Sequence, residues 1–237
     1  MEPTEYALMD AVEDRMWWYR ALRRRLIDAL SGVHGEVLDA GCGTGGLLAN
    51  LRAERPDLEP VGLEWADPAA QRAAVKSGAP IVRGSVNALP FAEASFNAAI
   101  TADVLCHRAV EPEAALSELR RVLRPGGRLI VNMPAYAWLL SVHDSQVHNA
   151  RRHTAGQLAA LLHQSGFREV RARYWNGLLL PLVVVQRKVL ARGRTASDVA
   201  PFPPWLDAML HAMTEFERHL RLRLPAGSSV LAIAERS

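Results

Sequence analysis

Asp39-Ala40-Gly41-Cys42-Gly43-Thr44-Gly45-Gly46 closes an apolar run, Gly35 to Ala40, and opens a helical pattern that continues to about Arg55. Glycines at alternate positions let the backbone turn sharply and bring main-chain N–H groups against a ligand with no Cβ in the way, and the helix start behind them presents unpaired donors. The octet therefore reads as a strand-turn-helix cradle for a small molecule. Glycine spacing alone does not choose the molecule, since dinucleotide enzymes place GxGxxG in the same position. At the end of the next apolar run, EPVGLE, stands Glu64, a carboxylate suited to accept hydrogen bonds from both hydroxyls of a ribose. Cradle and carboxylate together indicate a ligand that carries a nucleoside.

Outward from this turn, short apolar runs alternate with helical segments, the pattern of a parallel sheet covered on both faces. The expected strands are 35–40, 59–64, 80–83, 96–102, 128–133, 169–175 and 228–235. Between them, Asp67 is the expected N-cap of a helix that has Pro68 at its first position and Gly78 just past its end. Glu111 to Leu123 reads as a helix closed by the turn Arg124-Pro125-Gly126-Gly127, and Thr154 with Gln157 has the spacing of a capping box. The class is α/β: a Rossmann-like, seven-stranded, mostly parallel sheet with an antiparallel last strand and a helical insertion between the last two strands. The expected organisation is an N-terminal helical lid (1–34), a core (35–175), an insertion (176–223) that is a substrate lid or a dimer surface, and a final core strand (224–237).

Composition sets the limits. The 237 residues are 49% hydrophobic and 22% charged with a net charge of +3, enough for one packed domain and too apolar for disorder. The most apolar stretch, Leu178 to Val185, is broken by Pro181 and too short to span a bilayer. Two cysteines without CxxC spacing and an N-terminus lacking a signal pattern suggest a cytoplasmic protein. The pI of about 9.2 raises a nucleic-acid partner. However, Arg23, Arg24 and Arg25 share a helix with Tyr19, Leu22, Leu26 and Leu30 at helical spacing, so these arginines are expected mostly on its solvated side, and no nucleic-acid partner is expected.

Taken in order, VLDAGCGTGG (37–46), VGLE (61–64), NALPFAEASF (87–96), ADVLCH (102–107) and LRRVLRPGGRLIV (119–131) resemble the class I S-adenosylmethionine-dependent methyltransferases, in particular the small-molecule group. The resemblance implies S-adenosyl-L-methionine as cofactor. It assigns Asp39, Gly41, Gly43 and Gly45 to the methionine and ribose part, Glu64 to the ribose hydroxyls, and Trp65, Ser85 and Val86 to the adenine. Thr101, Asp103 and His107, at the end of the fourth strand, are implied near the reacting end. The aromatic-arginine helix Met16 to Leu26 resembles the one that closes over the cofactor in many of these proteins, which implies Tyr19, with Arg20 or Arg23 reaching the carboxylate. This chain departs from the family at Gly84-Ser85-Val86, where an acidic residue often receives the adenine amino group, and at Asn97, where aspartate is usual.

A sulfonium already makes its methyl group electrophilic, so such a protein must align an acceptor and exclude water, with a base where the acceptor is a hydroxyl or carbon acid. The loop after the fifth strand offers Tyr136, Trp138, Arg151, Arg152 and His153. From it, His143 is the expected base, then His148, with Asp144 as orienting partner. A metal on His143, Asp144 and His148 is not expected, because no further ligand cluster is evident. The apolar insertion indicates a small, partly apolar or aromatic acceptor. Two alternatives stay open: a protein of this fold that uses the cofactor for a non-methylating reaction such as cyclisation, or as a sensor, and a nicotinamide-dependent oxidoreductase that shares the glycine turn.

Overall fold

The computed structural model describes residues 3–140, 144, 148–187, 202–220 and 224–237. Seven strands form one sheet: β1 (Gly35–Ala40), β2 (Leu58–Glu64), β3 (Ile81–Arg83), β4 (Phe96–Ala102), β5 (Leu123–Pro134), β6 (Phe167–Trp175) and β7 (Ser229–Arg236). Their order is β3-β2-β1-β4-β5-β7-β6. β1 to β5 pair in parallel, and β7 runs antiparallel to both β5 and β6. The order reverses beside β1, so the carboxyl ends of β1 and β4 border the crevice in which an open α/β sheet takes its ligand. The expected Arg124–Gly127 turn lies inside β5, where the ladder with β4 slips between Phe96 and Ala98.

The helices are α1 (Pro3–Val12), α2 (Trp17–Ala29), α3 (Gly46–Glu54), α4 (Asp67–Ser77), α5 (Pro112–Val122), α6 (Ala155–Gln164), α7 (Leu180–Val185) and α8 (Pro204–His219). Because side chains alternate along a strand, β4 sends Ala99 to one face and Ala98 and Ile100 to the other. On the first face Leu116 and Leu119 of α5 meet Leu158 and Leu162 of α6; on the second Leu22 and Leu26 of α2 meet Leu51 of α3. Each fully buried leucine of this kind contributes about 1.5–3 kcal/mol by leaving water.

Local signals act largely as expected. Thr154 and Gln157 form a complete capping box, and Gly78, at φ 62°, ends α4 in the left-handed conformation. The N-cap of α4 is Ala66 and not Asp67: the backbone is extended at Ala66, whose N–H donates to Glu64, while Asp67 begins the helix and pairs with Arg83.

The arginines of α2 differ from expectation. Arg24 is solvated and pairs with Glu54, but Arg23 and Arg25 are buried. Arg23 donates to the Glu13 carbonyl (2.6 Å) and to Asp14 (3.3 Å). Arg25 donates to the carbonyls of Ala21 (3.1 Å) and Thr214 (2.7 Å), lies 4.7 Å over the Trp175 ring and faces Glu215 and Glu217. Their partners come from Glu13 and Asp14, just after α1, and from Trp175 and the far end of the chain, so helical spacing within α2 could not reveal the burial.

Candidate active site

A cavity of about 1020 Å³ opens along the carboxyl ends of β1, β4 and β5. Its floor is the glycine turn. Gly41 sits at φ 92°, and a Cβ there would run into the side chain of Val104, so both conformation and space require glycine. Gly45, at φ 89°, has a different reason to be glycine. A Cβ there would lie 2.7 Å from Ala73 Cα, so its bareness lets α3 and α4 approach, and Gly45 does not line the cavity.

Glu64 is buried at the end of β2 and held in one orientation. The N–H of Gly43 donates to Oε2 (2.9 Å), while the N–H of Ala66 (3.0 Å) and the hydroxyl of Tyr6 (3.1 Å) donate to Oε1. The Tyr6 contact shows that α1 lies over the cradle. Glu13, just after α1, fastens it there, accepting from Thr44 Oγ1 (2.6 Å) and Lys76 Nζ (2.5 Å). Burial, reinforced by the Glu64 carboxylate, pushes the Tyr6 phenol up, and burial with Glu13 does the same to Tyr19.

The cavity wall is rich in carboxylates: Glu5, Glu13, Asp39, Glu64, Asp103 and Asp144. Burial pushes the Asp39 carboxyl up to about 7, helped by Glu64 and Glu13. Asp103 follows β4 at φ 56°, and Asn132 Nδ2 donates to both of its oxygens (3.0 and 3.1 Å). Asn132 is itself oriented by Trp175 Nε1, which donates to Oδ1 at 2.8 Å. Burial raises the Asp103 carboxyl to about 7 against the opposing pull of that amide.

Of the residues expected at the site, Tyr19, Arg23, Asp39, Gly41, Gly43, Glu64, Trp65, Ser85, Val86, Asp103 and His107 line this one cavity. Trp65 stands at its open side, 72% exposed. Arg20 turns away, 3.8 Å from Asp207. Thr101 is completely buried within β4 and does not line the cavity.

His143 lies outside the described residues, and His148 lines the cavity at φ 59°. Asp144 is 1% exposed and accepts from Arg152 Nη2 with both oxygens (2.7 and 2.9 Å). Asn149 (3.3 Å) and Arg187 (3.4 Å) also donate to it, so this carboxylate helps anchor the loop through arginine. Arg151 pins the same loop to the carbonyls of His107 and Val110, while Tyr136 stacks between Trp138 and Tyr174.

Residues not singled out in the sequence complete the cavity. Tyr6, Met9 and Glu13 come from α1 and its end, Trp17, Trp18 and Leu22 from α2, and Asn176, Ser228 and Ser229 from the junction of β6 and β7. Tyr6, Met9 and Glu13 recur at three- and four-residue spacing, a signal for one helical face that was present in the sequence.

The residues suit S-adenosylmethionine on structural grounds. The cradle is bare where a Cβ would intrude, an oriented carboxylate stands beside it, and Arg23 Nε is buried at the cavity with no hydrogen-bond partner among the described residues. Comparison with known proteins agrees. A family profile described as "Methyltransferase domain" matches residues 38–131. The ubiquinone/menaquinone biosynthesis C-methyltransferase of Syntrophotalea carbinolica is 31% identical over 200 residues, covering 71% of this chain and 82% of that protein. An uncharacterised 37.1 kDa transposon protein of Streptomyces fradiae is 34% identical over 66% of this chain, which spans only 47% of that relative. Among solved structures, a methyltransferase of Thermotoga maritima described as a possible histamine N-methyltransferase superposes with a TM-score of 0.63 at 20% identity, over 99% of this chain and 96% of that one, a likeness of fold. Strand order, glycine cradle, the oriented Glu64 carboxylate and these relatives lead to one conclusion: the chain belongs to the class I S-adenosylmethionine-dependent methyltransferases.

Proposed function

We propose that the chain transfers the methyl group of S-adenosylmethionine to a small, partly apolar or aromatic acceptor. The observation that carries this reading is one continuous cavity, which runs from the glycine cradle to the edge where β5 and β6 end and β7 begins and is walled there by Trp17, Trp18, Leu22, Val183 and Phe202. The cofactor supplies the electrophilic methyl, and its positive sulfonium matches the carboxylate-rich wall. Main-chain groups of Gly41 and Gly43 hold its methionine end, Glu64 takes the ribose hydroxyls once Tyr6 yields, and Arg23 Nε takes the carboxylate. Trp65, Ser85 and Val86 flank the adenine. The indoles of α2 exclude water from the acceptor, which strengthens every charge interaction inside. Asp103 is placed to accept the acceptor's proton: its carboxyl faces the cavity, is fixed by Asn132 and is held near 7. His148 is the second group for that role.

Calorimetric titration with S-adenosylhomocysteine tests the cofactor half. Wild type should bind, and Glu64→Ala should weaken binding by roughly 30-fold or more through loss of charge-assisted bonds of about 2 kcal/mol or more. Transfer of a radiolabelled methyl to a panel of phenols, quinols and aryl amines tests the acceptor half. Label incorporated only into purely polar compounds would sink the apolar-acceptor reading, and product formed with the label still on the cofactor would replace transfer by another reaction.

A further inference from the structure

We infer that Asn176 forms an acceptor subsite, taking a hydrogen bond from a hydroxyl carried by an aromatic acceptor. This assignment rests on the methyl-transfer reading above. Asn176 follows β6 at φ 58°, is 1% exposed and lines the cavity beside Ser228 and Ser229. Its backbone is held from α8, where Glu217 Oε1 accepts from its N–H at 2.7 Å, and its Nδ2 donates to Ser228 Oγ at 2.8 Å. With backbone and one end of the amide fixed, Oδ1 has no hydrogen-bond partner among the described residues.

A buried acceptor left unpaired is costly, and such groups in folded proteins are normally satisfied by protein, water or ligand. Packing does not account for it, because glycine would satisfy the left-handed backbone without burying an amide oxygen. The free group is an acceptor, so its partner is a hydrogen-bond donor. The neighbouring surface is aromatic: Trp175, one residue before, stacks with Trp18 at 6.1 Å, and Trp18 lines the cavity. Trp17 Nε1, which also lines the cavity and has no hydrogen-bond partner among the described residues, is a donor, so the cavity offers both kinds of partner that a hydroxyl uses. The class of ligand is an aromatic alcohol.

The test uses a matched pair, 2-naphthol and 2-methoxynaphthalene, whose rings are alike and of which only the first can donate. Binding of each is measured by calorimetry at saturating S-adenosylhomocysteine. Wild type should prefer 2-naphthol by roughly tenfold or more. Asn176→Gly, which suits the backbone and removes the amide, should abolish the preference while leaving 2-methoxynaphthalene affinity within about twofold. Asn176→Asp, which keeps an acceptor oxygen and tolerates the same φ, should retain it. Equal binding of the pair to wild type, no binding of 2-naphthol, or a preference that survives in Asn176→Gly overturns the assignment. S-adenosylhomocysteine titration of each protein separates the failures: no binding by wild type overturns the methyl-transfer reading as well, whereas binding without discrimination overturns only the subsite. Should Asn176→Gly fail to fold, the wild-type comparison and Asn176→Asp still decide.

Discussion

Asp39 stands where the cradle begins, buried beside Glu64 and Glu13, with its carboxyl held near 7. In the unfolded chain the same group titrates near 3.8. A raised folded value means that its favourable contribution is complete below about pH 4 and is lost as pH rises through 7. Asp39→Asn should therefore stabilise the cofactor-free protein by about 1–3 kcal/mol at pH 8 and by little at pH 4.5, as read from denaturant midpoints at the two pH values. A uniform gain at both would show that the carboxyl is not raised. At this scale the sequence reveals groups whose position follows from their place on a strand: Glu64 ends β2 and stands at the glycine turn, where Gly43 donates to it. It conceals groups whose role depends on distant partners. Arg25 looks solvated in helical projection, yet its partners are Thr214, Trp175 and Glu217.

Strands and turns were legible because their signals are local. Alternation, strand-ending glycines and the Thr154–Gln157 box each act within a few residues, and β1 and β4 begin and end where the pattern places them. A helical N-terminal segment was expected, but the contact of α1 with the cradle was not legible, since it rests on Tyr6 reaching Glu64, 58 residues away. Gly45 tests element packing directly. Gly45→Ala forces a side chain onto Ala73 and a left-handed alanine at the start of α3, and should cost about 2–4 kcal/mol in urea unfolding. Arg25→Ala should cost about 2–4 kcal/mol as well, because it leaves Glu217 buried without its cation, and should loosen α8 before the sheet in hydrogen-exchange experiments.

Over the whole molecule, a net charge of +3 misleads about the site, since the carboxylates of the cavity wall outnumber its arginines. S-adenosylmethionine carries a sulfonium charge that S-adenosylhomocysteine lacks. Across pH 6 to 8, as Asp39 and Asp103 ionise, affinity for the charged cofactor should rise relative to its neutral product, by roughly threefold or more, which parallel titrations at three pH values would measure. A ratio unchanged with pH would mean that neither carboxyl faces the sulfonium.

The helix α1 that lies over the glycine cradle is tied to α2 by the bond from Arg23 to the Glu13 carbonyl, and α2 is fastened in turn to α8. The Trp17 N–H donates to Asp207 at 2.8 Å, and Arg25 reaches Thr214 of the same helix, α8. Neither roof can lift without straining the other. Occupancy of one half should therefore favour occupancy of the other by a shared factor, the same whichever molecule arrives first, so that substrates reinforce each other thermodynamically and departure of the methylated product loosens the grip on spent cofactor.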